Sequence, residues 1–222
     1  MRTSQMSSLT EALAEQRFAS RAQMSEEAWE IVEKATDRMR RENVAAGAVA
    51  AGDTAPSFTL PNAKGSDVSL DDRLDEGPVV LSFFRGGWCP YCGLELRALQ
   101  EAHTDIREAG GHLVAISPQS PKSSFQTQRQ NELDFDILSD DGLAVASDYG
   151  LVFDVPSDLK TVYRDEFGID LTEENADGNW RLPIPATYVI NRDQTVAYAF
   201  AEADYTHRAT PEQIIDTLKE LR

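Results

Sequence analysis

Residues 78–84, Pro-Val-Val-Leu-Ser-Phe-Phe, form a nearly unbroken apolar, β-rich run. A strand of that composition offers water no polar face, so it belongs in the middle of a sheet covered on both sides. His-Leu-Val-Ala-Ile-Ser at 112–117 is a second such run. Helix-patterned stretches lie between the strand candidates: 90–109, closed by Gly110-Gly111, then 121–133 and 141–150. Residues 135–138 read as another strand, and 186–190 and 195–200 as a hairpin across Asn191–Gln194. Strands alternating with helices and ending in a hairpin predict an α/β fold, a mixed sheet sandwiched by helices.

The remaining segments fit around that sheet. Residues 56–60 and 67–70 read as short strands joined by a turn at Asn62–Gly65, and 157–180 as a polar excursion with a helix at 157–167. A last amphipathic helix begins at Thr210, with Pro211 in its first turn where a missing N–H costs nothing. Ahead of the sheet, residues 8–46 read as helical. Leu9, Leu13 and Phe18 make a loose stripe; Ser25 is an N-cap followed by Glu26 and Glu27; Trp29, Val32, Thr36 and Met39 recur at helical spacing. The small-residue stretch 45–56 reads as a linker. The chain thus divides into an N-terminal helical arm, 1–50, and a compact domain, 51–222. Such an arm covers core surface on its own domain or docks on a second subunit of a homodimer.

The chain has only two cysteines, Cys89 and Cys92, and both sit in the turn between the 78–84 strand and the helix that follows. Pro90 suits the first position of that helix, which puts Cys89 at its cap and Cys92 one turn on. Side chains three apart on a helix are neighbours, close enough for a disulfide to form with modest adjustment. Free N–H groups at the helix start favour a thiolate at Cys89, and Cys92 can then attack a mixed disulfide formed there. Other uses of the pair fit less well. Structural zinc takes four protein ligands, and besides the two thiols the chain has only His103, His112 and His207. A staple over so short a loop stabilises little. The expectation is a redox dithiol that needs no metal and no cofactor.

Charge narrows the partners. Lys and Arg total 21 against 38 Asp and Glu, a formal charge of −17. That surface repels nucleic acid and anionic membranes; it reads as a well-solvated surface, with adaptation to high salt as the alternative. The first twenty residues hold no apolar segment of the kind a secretory signal needs, so the expected setting is the cytoplasm.

The segments APSFTLPNAKG, FFRGGWCPYC, LVAISPQ, ILSDDGLAVASDYGLVF and PIPATYVINRD, in that order, resemble the alkyl hydroperoxide reductase and thiol-specific antioxidant branch of the thioredoxin superfamily. The nearest resemblance is to its peroxiredoxin-like group carrying Trp-Cys-Pro-Tyr-Cys. It covers the chain from about Asp53 onward, and the arm is similar to that group's N-terminal region. The resemblance implies a thioredoxin-like, peroxiredoxin-type sheet with the cysteines opening its first long helix. It also implies that Pro185 is a cis-proline facing them. Peroxiredoxins carry Pro-x-x-x-Thr-x-x-Cys. Aligned without gaps from Phe83, this chain has Arg85 at the Pro position, Cys89 at the Thr and Cys92 at the peroxidatic Cys; aligned on Cys89, the positions are Ser82 and Gly86. The family's Arg before the 186–190 strand falls on Pro185. Arg85 or Arg97 can replace the lost charge, although ordinary salt bridges are the plainer use of both, and Arg97 is expected two turns from the site.

These readings give Cys89 as the more accessible, attacking thiol and Cys92 as the resolving one, with Arg85, Trp88, Pro90, Tyr91 and Pro185 around them. Trp88 reads as a packing residue; Ser117, Pro118 and Gln119 end a strand on the same edge, as a plain turn or as pocket lining. The first functional expectation is a thiol-disulfide oxidoreductase acting on disulfides, with glutathione (from the glutaredoxin-type Pro-Tyr) or a thioredoxin-type donor as thiol reductant. The second is a thiol peroxidase reducing hydrogen peroxide or alkyl hydroperoxides. The third is a redox-sensing, partner-binding module whose disulfide state alters the arm.

Overall fold

The structure is a computed structural model, and it describes residues 8–222; residues 1–7 of the arm lie outside the described residues. Chain order runs α1 (Leu9–Gln23), α2 (Glu26–Arg41), β1 (Thr59–Pro61), β2 (Asp67–Ser69), α3 (Leu70–Glu76), β3 (Val79–Phe83), α4 (Pro90–Glu101), α5 (His103–Glu108), β4 (His112–Ser117), α6 (Pro121–Gln130) and β5 (Asp136–Ser139). It continues α7 (Ala144–Asp148), β6 (Val152–Asp154), α8 (Ser157–Phe167), α9 (Leu171–Glu174), β7 (Arg181–Pro183), β8 (Ala186–Ile190), β9 (Val196–Ala201) and α10 (Pro211–Glu220).

The main sheet has the order β5-β4-β3-β8-β9, so the 78–84 run is the central strand its composition demands. β3 pairs in parallel with β4 and antiparallel with β8. The period of two along each strand sorts the core into two layers. Leu81 and Phe83 join Ile116 and Tyr188 on one face, with β1, β2 and α3. Val80, Ala115 and Val189 face the other way, under α4, α5 and α10. Ser82 and Thr187, paired directly across β3 and β8, put two hydroxyls on that second face, and what they meet there is part of the site.

The arm packs on its own chain. Leu9 and Leu13 bring α1 onto α4. Val32 and Ala35 bring α2 onto α8, against Leu159, Val162 and Tyr163. Both helices start where the sequence caps them: Ser8 and Glu11 form a capping box, and the Ser25 hydroxyl accepts from the Ala28 N–H. Two side chains depart from the expected stripe. Phe18 is 78% exposed, and Trp29 lies half-buried under the guanidinium groups of Arg17 and Arg21, at 5.5 and 5.6 Å. The face that packs is Ala28, Val32, Ala35, Thr36 and Met39.

Elsewhere the helix expected over 90–109 breaks at Ala102 into α4 and α5, and the second short strand ends in a helix because Ser69 caps α3. The excursion folds back through a small sheet, β6 with β7, which no sequence pattern had marked. Among the described residues, no helix is long and apolar enough to cross a membrane.

The arm's packing sets an expected outcome. Ala35 has no exposure, so Ala35→Asp buries an unpaired charge and lowers stability by about 3 kcal/mol, read as a fall in the urea midpoint. Phe18→Ser changes it by less than about 0.5 kcal/mol.

Candidate active site

β3 delivers the chain to the loop Phe84–Trp88, and α4 receives it at Cys89. Two glycines let the loop turn there. Gly86 has φ +151°, and a Cβ on it would lie 2.4 Å from the Trp88 indole nitrogen. Gly87 donates its N–H to Gln119 Oε1 at 2.9 Å, and a Cβ on it would meet Thr127 Oγ1 at 2.3 Å. Gln119 also accepts from the Thr127 hydroxyl, so the strand end at Ser117–Gln119 pins the loop and does not line the cavity. Cys89 is the N-cap of α4, with Pro90 at its first position as the sequence requires. Cys92 follows one turn later, and both thiols are free.

Arg85 and Arg208 lie beside the pair. Arg85 is 3% exposed and has no carboxylate partner among the described residues. Its guanidinium sits 4.9 Å from the centre of the Trp88 ring, 4.6 Å from that of Tyr205 and 5.5 Å from that of Tyr163. It donates to the Tyr163 hydroxyl, while its Nε finds no partner. Arg208 reaches in from the stretch before α10. It donates to the Glu95 carboxylate and to the carbonyls of Tyr205 and His207, both at 2.6 Å, and its Nη2 lies 3.5 Å from Cys92 Sγ. Glu95, on α4, accepts in turn from Ser82 and Thr187, both at 3.4 Å. These two hydroxyls on the helical face of the sheet therefore seat the carboxylate that holds Arg208.

These neighbours set the thiols apart. Burial pushes the Cys89 thiol up, but the Cys92 thiol donates to it and the charges of Arg85 and Arg208 favour its anion, which brings it down to about 6. Burial pushes Cys92 well up, and the anion beside it pushes further in the same direction. Burial likewise raises Glu95, against the pull of Arg208. The site therefore holds one thiolate and one thiol at neutral pH.

A cavity of about 460 Å³ lies over Cys89. Trp88, Pro90, Tyr91, Pro185 and Arg85 line it, so the structure brings every sequence-predicted site residue together except Cys92, which lies behind Cys89 against Arg208. Cys89 is the less buried of the two thiols, as expected, but only at 2% against 0%, because the arm roofs the cavity. Two expectations are corrected. The peptide before Pro185 is trans, as no cis bond occurs among the described residues. Chain running straight from β7 into β8 takes the ordinary X-Pro isomer. Arg97 points away and donates to Asn131 at the exposed end of α4, leaving Arg85 as the nearby cation foreseen from sequence.

Glu95, Tyr163, Tyr205 and Arg208 were not foreseen. Glu95 had a readable signal: it falls three residues after Cys92, on the stripe shared with Leu96 and Leu99, and a charge on a buried helical face needs a partner. The other three come from loops and a distant helix with no pattern to mark them.

Alkylation of the reduced protein is expected to rise with pH through a midpoint near 6 at Cys89, while Cys92 stays unlabelled at neutral pH. Removing either cation, by Arg85→Gln or Arg208→Gln, is expected to raise the Cys89 midpoint by about one to three units. Mass spectrometry of the labelled peptide reads both.

Residues 51–199 match the AhpC/TSA family. Peroxiredoxin Q of Sedum lineare is 31% identical over 183 residues, covering 82% of this chain and 83% of the relative. Its counterpart in Oryza sativa subsp. japonica is 30% identical over 183 residues, covering 82% and 71%. Peroxidoxin BcpB from Mycobacterium tuberculosis superposes with a TM-score of 0.62 at 22% identity, over 78% of this chain and 99% of its own, which shows the fold. A thioredoxin-like sheet, a buried thiolate at a helix start and relatives of this kind make the chain a peroxiredoxin-like oxidoreductase of the AhpC/TSA family.

Proposed function

We propose that the protein is a thiol peroxidase with Cys89 as the attacking thiolate and Cys92 as the resolving thiol. One observation carries the choice over the disulfide reductase first expected. Cys89 is 2% exposed, at the floor of a roofed cavity of about 460 Å³, which admits a small molecule and not a folded protein's disulfide.

The chemistry follows from the charges. The Cys89 thiolate attacks the O–O bond of a hydroperoxide, its sulphur takes one oxygen, and the leaving alkoxide or hydroxide picks up a proton. Arg85 stands where the developing negative charge needs a cation. The Tyr163 hydroxyl, accepting from Arg85, keeps its own proton free to donate. Cys89 is then a neutral sulfenic acid. The anion that held Cys92 up is gone, and Arg208, 3.5 Å from its sulphur, now favours ionisation there. Cys92 attacks the Cys89 sulphur, water leaves and the disulfide closes. An external thiol reductant restores the pair. The resolving thiol is thus activated by the first step and stays inert before it.

A second reading keeps the pair as a dithiol exchanging with small disulfides. It is supported by Cys89 standing at the position of the family's Thr, so that a peroxide-contacting hydroxyl is replaced by a thiol.

Stopped-flow mixing of the reduced protein with one equivalent of hydroperoxide is expected to consume both thiols. Cys92→Ser is expected to halt at a sulfenic acid trapped by dimedone, and Cys89→Ser to lose the reaction, by at least about a hundredfold. A reduced protein that ignores hydroperoxides while it reduces small disulfides would move the assignment to the second reading.

A further inference from the structure

The matched family region spans residues 51–199, yet much of the wall over Cys89 comes from outside it. Met24 closes α1, Val32, Thr36 and Met39 lie along the buried face of α2, and Tyr205 follows β9. We propose that the arm is the specificity element of this enzyme. It forms an apolar receptor for the carbon skeleton of the substrate, so the enzyme selects neutral organic hydroperoxides by skeleton size and disfavours hydrogen peroxide. The inference rests on the thiol peroxidase reading above.

The distribution of charge around the cavity gives the substrate its direction. Apart from the thiol, the charged side chains lining it are Arg85 and Glu166. Arg85 is at the floor beside Cys89. Glu166 is at the arm, where its carboxylate accepts from Ser25 at 2.6 Å. The peroxy group therefore goes down to the thiolate and the carbon tail up against α1 and α2. No cation waits for the tail, and a carboxylate there would meet Glu166. Between them the wall is mostly apolar, from Met24, Val32, Met39, Leu159 and Ile184, while Gln16, Ser20 and Gln23 of α1 and Thr36 of α2 add polar side chains; water held against the apolar part has few partners and gives way to hydrocarbon. Hydrogen peroxide has no skeleton with which to displace it. Each methylene that a longer substrate buries is worth about fourfold in binding. Because the tail takes no part in the chemistry, the gain appears in kcat/KM through KM.

The test is a homologous series on the full-length reduced protein: hydrogen peroxide, ethyl, butyl and hexyl hydroperoxide, and 6-hydroperoxyhexanoic acid. The expected result is a rise in kcat/KM of about fourfold per methylene and a drop of at least about tenfold when the hexyl tail carries the carboxylate. Thr36→Leu, and separately Met24→Trp at a half-buried position that tolerates bulk, fill the receptor. Each is expected to cut the hexyl-to-hydrogen-peroxide ratio by at least about tenfold. Hexanol, which cannot react, is expected to slow alkylation of Cys89 in the unmodified protein and not in the filled variants. A flat series with no hexanol protection overturns the inference while leaving the peroxidase intact. Silence toward every peroxide, hydrogen peroxide included, overturns the peroxidase reading; hexanol protection then decides by itself whether the arm is an apolar receptor.

Discussion

Two guanidinium groups lie inside this protein, and a buried cation must have its charge answered. Glu95 answers Arg208. No carboxylate among the described residues answers Arg85, which is held by three aromatic rings and a tyrosine hydroxyl. The anion within reach is the sulphur of Cys89. The thiolate is thus the counter-ion that lets Arg85 stay buried as much as Arg85 is the cation that makes the thiolate. Remove either and the other becomes an uncompensated interior charge, or a thiol of ordinary reactivity.

Much of the local architecture serves that balance. Gly86 and Gly87 let the loop pass beneath Trp88 and against α6, which sets Arg85 among its rings. Ser82 and Thr187, opposite one another on β3 and β8, present hydroxyls to Glu95 from below. Asp204 ties the stretch that carries Tyr205 and Arg208 to the arm, accepting from Arg40 of α2 with Arg17 of α1 nearby at 3.9 Å. Because that carboxylate is itself buried, its ion pairs hold more firmly than the exposed ones along the arm, such as Arg38 with Asp158.

The frame of the fold was open to reading, since it rests on local patterns. Apolar runs placed the central strands, Ser25 and Thr210 marked helix starts, and Cys89-Pro90-Tyr91-Cys92 after a buried strand marked the redox pair. The site was half legible. Its thiols, Arg85, Trp88 and Tyr91 lie within one short stretch, whereas Tyr163 and Tyr205 are distant in the chain and Arg208 meets Glu95 across 113 residues from a segment that reads as a connector. Helical spacing could place Val32 and Met39 on one face without saying that the face also closes a cavity. The cis-proline came from the resemblance, and Pro185 lines the cavity as expected but in the trans form. The role for Arg97 took position in the chain as a guide to direction in space, and its side chain turns to Asn131 instead.

The placement of Arg208 bears on how the protein comes into being. Both cysteines leave the ribosome more than a hundred residues before the cation that Cys92 faces, and Tyr205, which closes the ring cage round Arg85, is equally late. Domains fold as units as synthesis proceeds, so through most of translation Cys89 is an ordinary thiol, mostly protonated at neutral pH. The nascent chain thus carries its thiols in a form slow to react, and their reactivity switches on only once the stretch before α10 has docked.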